Sequence, residues 1–350
     1  MASFSDSIKA WGRQVELVVY DPARAPSAAV LEQDGQQFGL RVSELHVDFE
    51  VKRSLAFTEN TASFKLYNAS EQTRQLIQSP NMRMQFSAGY KDQGGLILLF
   101  SGFILPDVFS AKSESSWITT IPCISALSES TGSEDIASWI KKNPKATQAQ
   151  KQEKISSAIN RIPVSLGYSK DSKVRTILNN LSTLTGLVLY GSEGLDPMMT
   201  FPNGWTYVGG VRGALQMLDR MLRARGWALV TDNATIVVYP LHGGKQTSTA
   251  AYLTYDTGLI KAEPKAKDNI PPKVDKNGKK IPVTQSYTFE ALLSPKIGPN
   301  TLVRIKTETL DVVIQVAEVT FSGNNYGGDF KVSGMGNVWN GPGDTYRKAL

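Results

Sequence analysis

The chain has 350 residues, of which 41% are hydrophobic and 20% are charged. This length and composition predict a folded protein with more than one core and exclude wholesale disorder. The single cysteine, Cys123, excludes an internal disulfide, a Cys-based zinc site and a CxxC redox pair, and the net charge of +6 predicts a modestly basic surface, with an acidic or nucleic-acid partner as the alternative.

The amino terminus and the apolar runs bear on membrane targeting. Residues 1–9 lack the basic segment and the unbroken apolar stretch of a secretory signal. No apolar run approaches the roughly 20 residues that span a bilayer, because even residues 96–100 are followed by Ser101 and Gly102. We therefore expect a soluble protein.

The first part of the chain, residues 1–127, is dominated by short β-type runs between turn residues. The predicted strands are Val15 to Tyr20, Leu45 to Val51, Ala62 to Tyr67, Met82 to Gly89, Leu96 to Leu105 and Trp117 to Ser125. Apolar and polar residues alternate in the second of these, which places one apolar row on a single face. The pattern predicts a β-barrel or sandwich.

One short helix interrupts these strands. Asn68 or Ser70 can cap it, Glu71 suits its first turn, and Pro80 ends it. The first domain is therefore predicted to be β-rich, with a single helix packed against it.

A polar, helix-favouring connection is predicted over residues 128–162, before an α/β insert at 163–242. The sequence of the insert predicts a strand from Val164, a helix over 172–185, two short strands, a helix over 211–225 and a closing hairpin. This is a small βαββαββ domain.

The remaining residues, 243–350, return to β character and are predicted to form a second β domain. An exposed loop is expected at 261–282, because this segment is rich in Lys, Pro, Asp and Asn. Its lysines are interleaved with Asp268 and Asp275 and lack aromatic residues that could stack on bases, which favours a solvated loop over a nucleic-acid site.

Catalytic motifs are missing from the sequence. It has no GxSxG elbow, HExxH pair or EF-hand loop, and the phosphate-loop and dinucleotide patterns fail at 239–246 and 334–339. The two histidines, His46 and His242, are interpreted as ordinary polar residues. A pair of carboxylates for glycoside hydrolysis stays open as an alternative. No cofactor or metal site is predicted, and we expect no enzyme activity.

Two stretches far apart in the chain resemble one family. The first comprises Ala62 to Arg74, Ala88 to Tyr90 and Phe100 to Ile104. It resembles the first barrel of baseplate hub proteins of contractile-tailed bacteriophages, Mu-like and T4-like, in which a strand ends in a Tyr-Asn turn into a helix. The second comprises 257–260, 289–299, 316–323 and 326–330, and it is similar to the closing barrel of that family.

The residues that carry these signatures are expected to be structural rather than catalytic. They are Tyr67, Asn68, Gly89, Tyr90, Gly102, Leu292, Leu293, Pro295, Gly298, Gly323 and Gly328. The insert resembles the short amino-terminal domain of secretins and TonB-linked receptors, on residues 174–181, 185–187, 214–219 and 236–238. The same residues are also those of two amphipathic helices on any small sheet.

The resemblance implies an α+β fold class, with two β-barrel, tail-tube-like domains and the inserted βαββαββ domain. It implies a homotrimer that joins the sixfold tail tube to the threefold central spike, located in the virion baseplate and assembled in the bacterial host cytoplasm. The implied partners are the tail spike, the tail tube, neighbouring baseplate proteins and the tape-measure protein, without membrane or nucleic acid. Two alternatives stay open: the hub of a related machine, such as a bacteriocin tail or a type VI spike, and a hub with cell-wall hydrolase activity.

Overall fold

A computed structural model describes residues 12–22, 24–25, 28–29, 31–33, 36–55, 60–79, 82–113, 116–125, 142–143, 163–185, 187–232, 235–240, 251–265 and 285–339. The predicted connection at 128–162 lies outside the described residues, except for 142–143, and so does His242. Within the described part of the chain, no helix has the length and apolar character needed to cross a membrane.

Ten strands lie in the described part of the first β region. They are β1 (Arg13–Tyr20), β2 (Glu32–Gln33), β3 (Gln36–Gln37), β4 (Gly39–Val42), β5 (Val47–Ser54), β6 (Thr61–Tyr67), β7 (Arg83–Tyr90), β8 (Ile97–Ile104), β9 (Phe109–Ser113) and β10 (Ser116–Ile124). All six predicted strands are present, with ends shifted by up to three residues. Strands β2, β3, β4 and β9 were not predicted, because they are short and largely polar.

Helix α1 (Glu71–Ile77) follows β6, as the sequence predicts. Ser70 is the cap, since its Oγ accepts a hydrogen bond from the Thr73 amide at 3.1 Å. Asn68 instead takes a left-handed conformation with φ of 54°. Ile77 is the fully buried residue of the helix and packs into the β core.

The insert has more strands than its predicted βαββαββ order. Its elements are β11 (Pro163–Tyr168), β12 (Ser172–Lys173), α2 (Val174–Thr185), β13 (Val188–Tyr190), β14 (Thr200–Phe201), β15 (Trp205–Gly210), α3 (Val211–Arg223), β16 (Trp227–Asp232) and β17 (Thr235–Pro240). The prediction missed β12, whose two residues pair with β14 and delay the start of the helix. It also missed β15, which pairs along the whole of β11.

The closing β region contains six strands among its described residues. They are β18 (Ala251–Leu253), β19 (Leu259–Pro264), β20 (Ser286–Leu292), β21 (Leu302–Lys306), β22 (Asp311–Asn324) and β23 (Phe330–Val338). The predicted loop at 261–282 was wrong at its start, because residues 261–264 pair with β20 as part of β19. The rest of that loop, from 266 onward, lies outside the described residues.

The two β regions share one sheet of 14 strands. Strand β22 is 14 residues long, and it pairs with β21 through its first third and with β5 through its second half. Neither region closes into a barrel among the described strands, so the two predicted barrels stay a prediction. One hydrophobic core spans both regions, whereas the insert has its own core beneath α2 and α3.

Candidate functional site

The junction of β5 with β22, here called the seam, is where the two β regions meet. An aromatic cluster fills it from both sides. The Phe330 ring of the closing region packs edge-on against Phe49 at 5.6 Å and against Tyr90 at 5.2 Å between centroids. Phe49 also contacts Phe86 at 4.7 Å, which continues the cluster into the first region. The seam is therefore packed as the interior of one domain.

Tyr90 places a polar group inside this apolar cluster. Its hydroxyl donates to the Phe330 carbonyl at 3.4 Å, and the Leu293 amide donates to the same carbonyl at 2.9 Å. Burial raises the pKa of the Tyr90 hydroxyl above its ordinary value, although the nearby Arg13 guanidinium opposes this effect. The phenol is thus held neutral and bonded across the seam.

Arg13 and Asn325 fasten the turn between β22 and β23 to the first region. The Arg13 guanidinium donates to the carbonyls of Asn324 at 3.4 Å and Gly328 at 2.8 Å, and it lies over the Phe330 ring. The Asn325 side chain accepts from the Val47 amide at 2.9 Å and donates to the Leu45 carbonyl at 2.8 Å. Both residues were missed by the sequence reasoning. An Arg at a strand start carries no signal for a contact 315 residues away, although Asn325, between Gly323 and Gly328, had the turn chemistry to suggest a role.

Two glycines shape this turn. Gly323 has φ of 155°, and a Cβ there would lie 2.5 Å from the Asp329 carbonyl oxygen. Gly328 has φ of 75°. A side chain at either position would be strained, because L-residues rarely adopt these backbone conformations, so glycine is favoured at both.

A stack of three rings covers one end of the seam. The His46 ring lies parallel to Tyr67 at 4.2 Å between centroids and is tilted against Tyr326 at 5.1 Å. Asp48 accepts from the Tyr67 hydroxyl at 2.8 Å and lies 3.3 Å from His46 Nε2. The hydrogen bond to Asp48, followed by burial, raises the pKa of the Tyr67 hydroxyl. His46 thus joins the two regions by ring contacts.

The structure brings five of the predicted signature residues to the seam: Tyr67, Tyr90, Leu293, Gly323 and Gly328. The other six lie outside it. Asn68 is bonded to the Trp117 backbone, Gly89 and Gly102 allow close backbone approach, the Leu292 amide donates to Gly258, Pro295 lies in a turn, and the Gly298 amide donates to Thr301. Their role in the function stays a prediction.

Within the described residues, the insert contacts the first region through an ion pair, a hydrogen bond and an apolar patch. Arg53 of β5 forms a two-point contact with Asp232, and its Nε lies 3.2 Å from Oδ1. Asn60 donates to the same carboxylate at 2.7 Å, so Asp232 has two partners from the first region. Beside it, a small cluster of insert residues packs against Leu55; these are Ala228, Val230, Val237 and Tyr239. Sequence reasoning missed the Arg53–Asp232 pair, because 179 residues separate its members.

A groove of about 550 Å³ lies on the outer face of β5, β19, β20, β22 and β23. Its charged lining is mixed in sign; the residues are Lys52, Arg53, Lys261, Glu263, Lys265, Glu290 and Glu318. In the part of the chain that the structure describes, no group of three metal-ligating side chains occurs. The groove therefore has four basic and three acidic side chains, and its charges nearly cancel.

Hydrolase activity, one of the alternatives, would need a pair of catalytic carboxylates in the insert. Asp219 is held by the Arg223 guanidinium at 2.6 Å and by the Leu229 amide at 2.8 Å. Asp232 is held by Arg53 and Asn60. Both carboxylates therefore have structural partners.

The protein is similar in fold to several proteins of known structure. No family model and no curated protein matches the chain. A tail protein from Neisseria meningitidis is 11% identical, with 94% of this chain and 98% of that chain covered and a TM-score of 0.55. The 43 kDa tail protein of prophage MuSo2 from Shewanella oneidensis is 12% identical, with 92% and 96% covered and a TM-score of 0.52.

A chain of the Francisella PdpA–VgrG complex is 8% identical, with a TM-score of 0.52. The match covers 94% of this chain but only 58% of that one, so the protein spans little more than half of that longer chain. At these identities the likeness concerns the fold. The protein has the fold of phage tail proteins, which a chain of the PdpA–VgrG complex shares.

Proposed function

We propose that the protein is the central hub of a phage tail baseplate, in which three copies form a ring that joins the sixfold tail tube to the threefold spike. The fold of phage tail proteins, spanning nearly the whole chain, supports a structural role in a tail. Its partners in this role are the tail spike, the tail tube, neighbouring baseplate proteins and the tape-measure protein. The virion baseplate is its location, after assembly in the host cytoplasm.

The main observation in support of a ring is the strand order of the 14-stranded sheet. The sheet runs through both β regions and ends in β4 on one side and in β19 on the other. Among the described strands, β4 pairs only with β1, and β19 only with β20. An unpaired edge at each end allows head-to-tail association, which closes into a ring when the rotation between copies permits it.

Two β regions in each copy account for the change of symmetry. Three copies contribute six β regions to one ring, which presents a sixfold face to the tube and a threefold face to the spike. The seam fixes the angle between the two regions of a copy, because the shared core leaves no hinge between them. Closure of each region into a barrel is part of this proposal.

A second candidate is the hub of a related injection machine, such as a bacteriocin tail or a type VI spike. The likeness to a chain of the Francisella PdpA–VgrG complex favours it. Genes for a capsid next to the coding sequence would support the phage hub, and their replacement by secretion genes would support the second candidate.

The test of the ring is the mass in solution, measured by light scattering over a wide range of protein concentration. We expect a trimer. Ile260→Asp places a charge on half-exposed Ile260 in the β19 edge and should reduce the mass to that of a monomer. Met198→Asp alters a more exposed apolar residue of the insert and should leave the trimer intact.

A stable dimer of the unaltered protein would contradict the ring. A trimer that persists in Ile260→Asp would show that β19 is not its interface. Clearing of a peptidoglycan suspension by the isolated chain would contradict a purely structural role.

A further inference from the structure

The small sheet of the insert has an apolar face that is only half covered. Its strands lie in the order β13, β17, β16, with β13 parallel to β17. On one face, Ile236 and Leu229 are buried in the insert core and Leu189 packs against it, on the side of α2 and α3. This face of the sheet is covered by the insert's own core.

The opposite face of this sheet is partly covered by the first β region. Residues Ala228, Val230 and Tyr239 are buried there, in the cluster with Leu55. In the ladder, Val230 pairs with Val237, and Val237 pairs with Tyr190. Paired residues lie on the same face of a sheet, so the row runs from the covered strand β16 to β13.

The first β region does not extend over strand β13. Val188 and Tyr190 lie two residues apart on this face, and their exposed fractions are 66% and 65%. The apolar surface is therefore continuous with an interface that is already formed, and its outer third is open. Isolated apolar residues are common on surfaces, but Val188 and Tyr190 extend a buried apolar patch to the edge of the sheet.

The backbone of β13 is open as well. Among the described strands it pairs only with β17, so the polar groups along its other edge have no strand partner there. Charged residues and proline commonly protect such edges. Strand β13, Val-Leu-Tyr, has neither.

We propose that β13 binds a short extended segment of another protein, which adds a strand to this edge and places apolar side chains at alternate positions over Val188 and Tyr190. Strand addition obtains affinity from main-chain hydrogen bonds and specificity from alternate side chains. A stable pair of globular copies buries about 800 Å² on each partner, more than a three-residue strand with two exposed side chains offers. An extended segment fits this size, and the inference does not depend on the ring.

The probe is a fluorescein-labelled peptide of alternating valine and threonine with a lysine at each end, titrated with the full chain and followed by anisotropy. The comparison peptide has the same sequence with alternate amides N-methylated, which removes the donors needed for strand pairing. Val188→Lys with Tyr190→Lys should weaken binding by about tenfold or more, because charges oppose the added strand. Val208→Lys, at an 82% exposed valine of β15, is the matched control and should bind as the unaltered protein does.

Hydrogen exchange is the second readout. The unmethylated peptide should slow exchange of amides at 188–190, and unchanged circular dichroism of the variants should show that they are folded. The proposal would be overturned by no saturable binding of the peptide, by equal binding of the methylated peptide, or by binding that survives the two lysines. Self-association that the lysines abolish would assign the edge to a second copy and would equally overturn it.

Discussion

The junction between the two β regions differs from the junction between the insert and the first β region. At the seam, strands far apart in sequence share one sheet and one core, and polar side chains such as Tyr90 are bonded across it. The insert is held to the first region by the Arg53–Asp232 pair, Asn60 and a small patch around Leu55. In the described part of the chain, the core of the insert contains no residue of the β regions.

This difference predicts how the molecule unfolds. Residues that share a core lose their packing together, so the two β regions should unfold in one cooperative step despite their separation in the chain. The insert should unfold in a step of its own. The following predictions test this comparison, from the largest expected effect to the smallest.

The largest effect is expected from Leu215→Asp in the insert. Leu215 lies buried on the inner face of α3, so aspartate places a charge in the core. A fragment of residues 162–240 should be soluble and unfold cooperatively, with only a few kcal/mol of stability, as is typical of so small a domain. Leu215→Asp should abolish that transition, which far-ultraviolet circular dichroism in urea will show.

The matched control is Met217→Asp, on the same helix but at a partly exposed methionine, and it should keep the transition. A 162–240 fragment that is unfolded without any substitution would show that the insert depends on the β regions, and the predicted boundaries at 163–242 would then be wrong.

The next effect is expected from Phe330→Ala at the seam. The ring is buried and contacts Phe49, Tyr90 and the Arg13 guanidinium, so its removal leaves a cavity between the two regions. We expect a loss of about 3–5 kcal/mol in the free energy of unfolding of both β regions. Urea unfolding of the full chain, followed by hydrogen exchange at amides of β5 and β22, measures it.

Phe109→Ala, in β9 and not among the seam contacts, removes an exposed ring and serves as the control, with a loss under about 1 kcal/mol expected. Faster exchange confined to β22, with β5 unchanged, would mean that the regions do not unfold together.

A smaller effect is expected from Arg53→Ala, which removes the charged contact of the insert. Arg53 and Asp232 are only 12% and 16% exposed, so the carboxylate loses its counter-charge in a poorly solvated place. We expect about 2 kcal/mol of lost docking energy, seen as faster protease cleavage on either side of the insert, with the stability of the β regions unchanged. This outcome would sharpen the comparison.

Arg304→Ala is matched to it, because Arg304 makes a similar two-point contact with Asp311 within the closing region. Asp311 is nearly half exposed, and its pKa is lowered chiefly by the hydrogen bond from Arg304. The loss should stay under about 1 kcal/mol, without faster cleavage beside the insert. Equal cleavage in the two variants would show that Arg53 is not what holds the insert.

Most of the elements could be predicted from the sequence, because local chemistry determines them. Alternation in β5, the Ser70 cap of α1 and the helical apolar spacing of α3 are all visible over a few residues. The seam could be predicted only in part. Gly323 and Gly328 were identified only as signature residues. Nothing near Arg13, Phe49 or Phe330 indicates that these three residues meet, since pairing between distant strands leaves no local pattern.

The smallest effect is expected from the buried hydroxyl of Tyr90. Burial raises its pKa from the ordinary value of 10.0, so the folded state favours the neutral phenol. The stability that this difference contributes is fully present below pH 10.0, and it is lost as the pH rises from there through the higher folded-state pKa. Tyr90→Phe cannot ionise and should therefore lose less stability in alkali than the unaltered protein.

At neutral pH, Tyr90→Phe should cost about 1 kcal/mol, the usual value of one hydrogen bond, because the Phe330 carbonyl keeps its bond from the Leu293 amide. Urea unfolding of both proteins at several pH values between about 8 and 11 measures the difference in slope. Tyr255→Phe, at an exposed tyrosine, should retain the slope of the unaltered protein and controls for the other tyrosines. If Tyr90→Phe also retains that slope, the hydroxyl reaches solvent as readily in the folded protein as in the unfolded chain. The seam would then be more open than its packing indicates, and the contrast with the loosely attached insert would weaken.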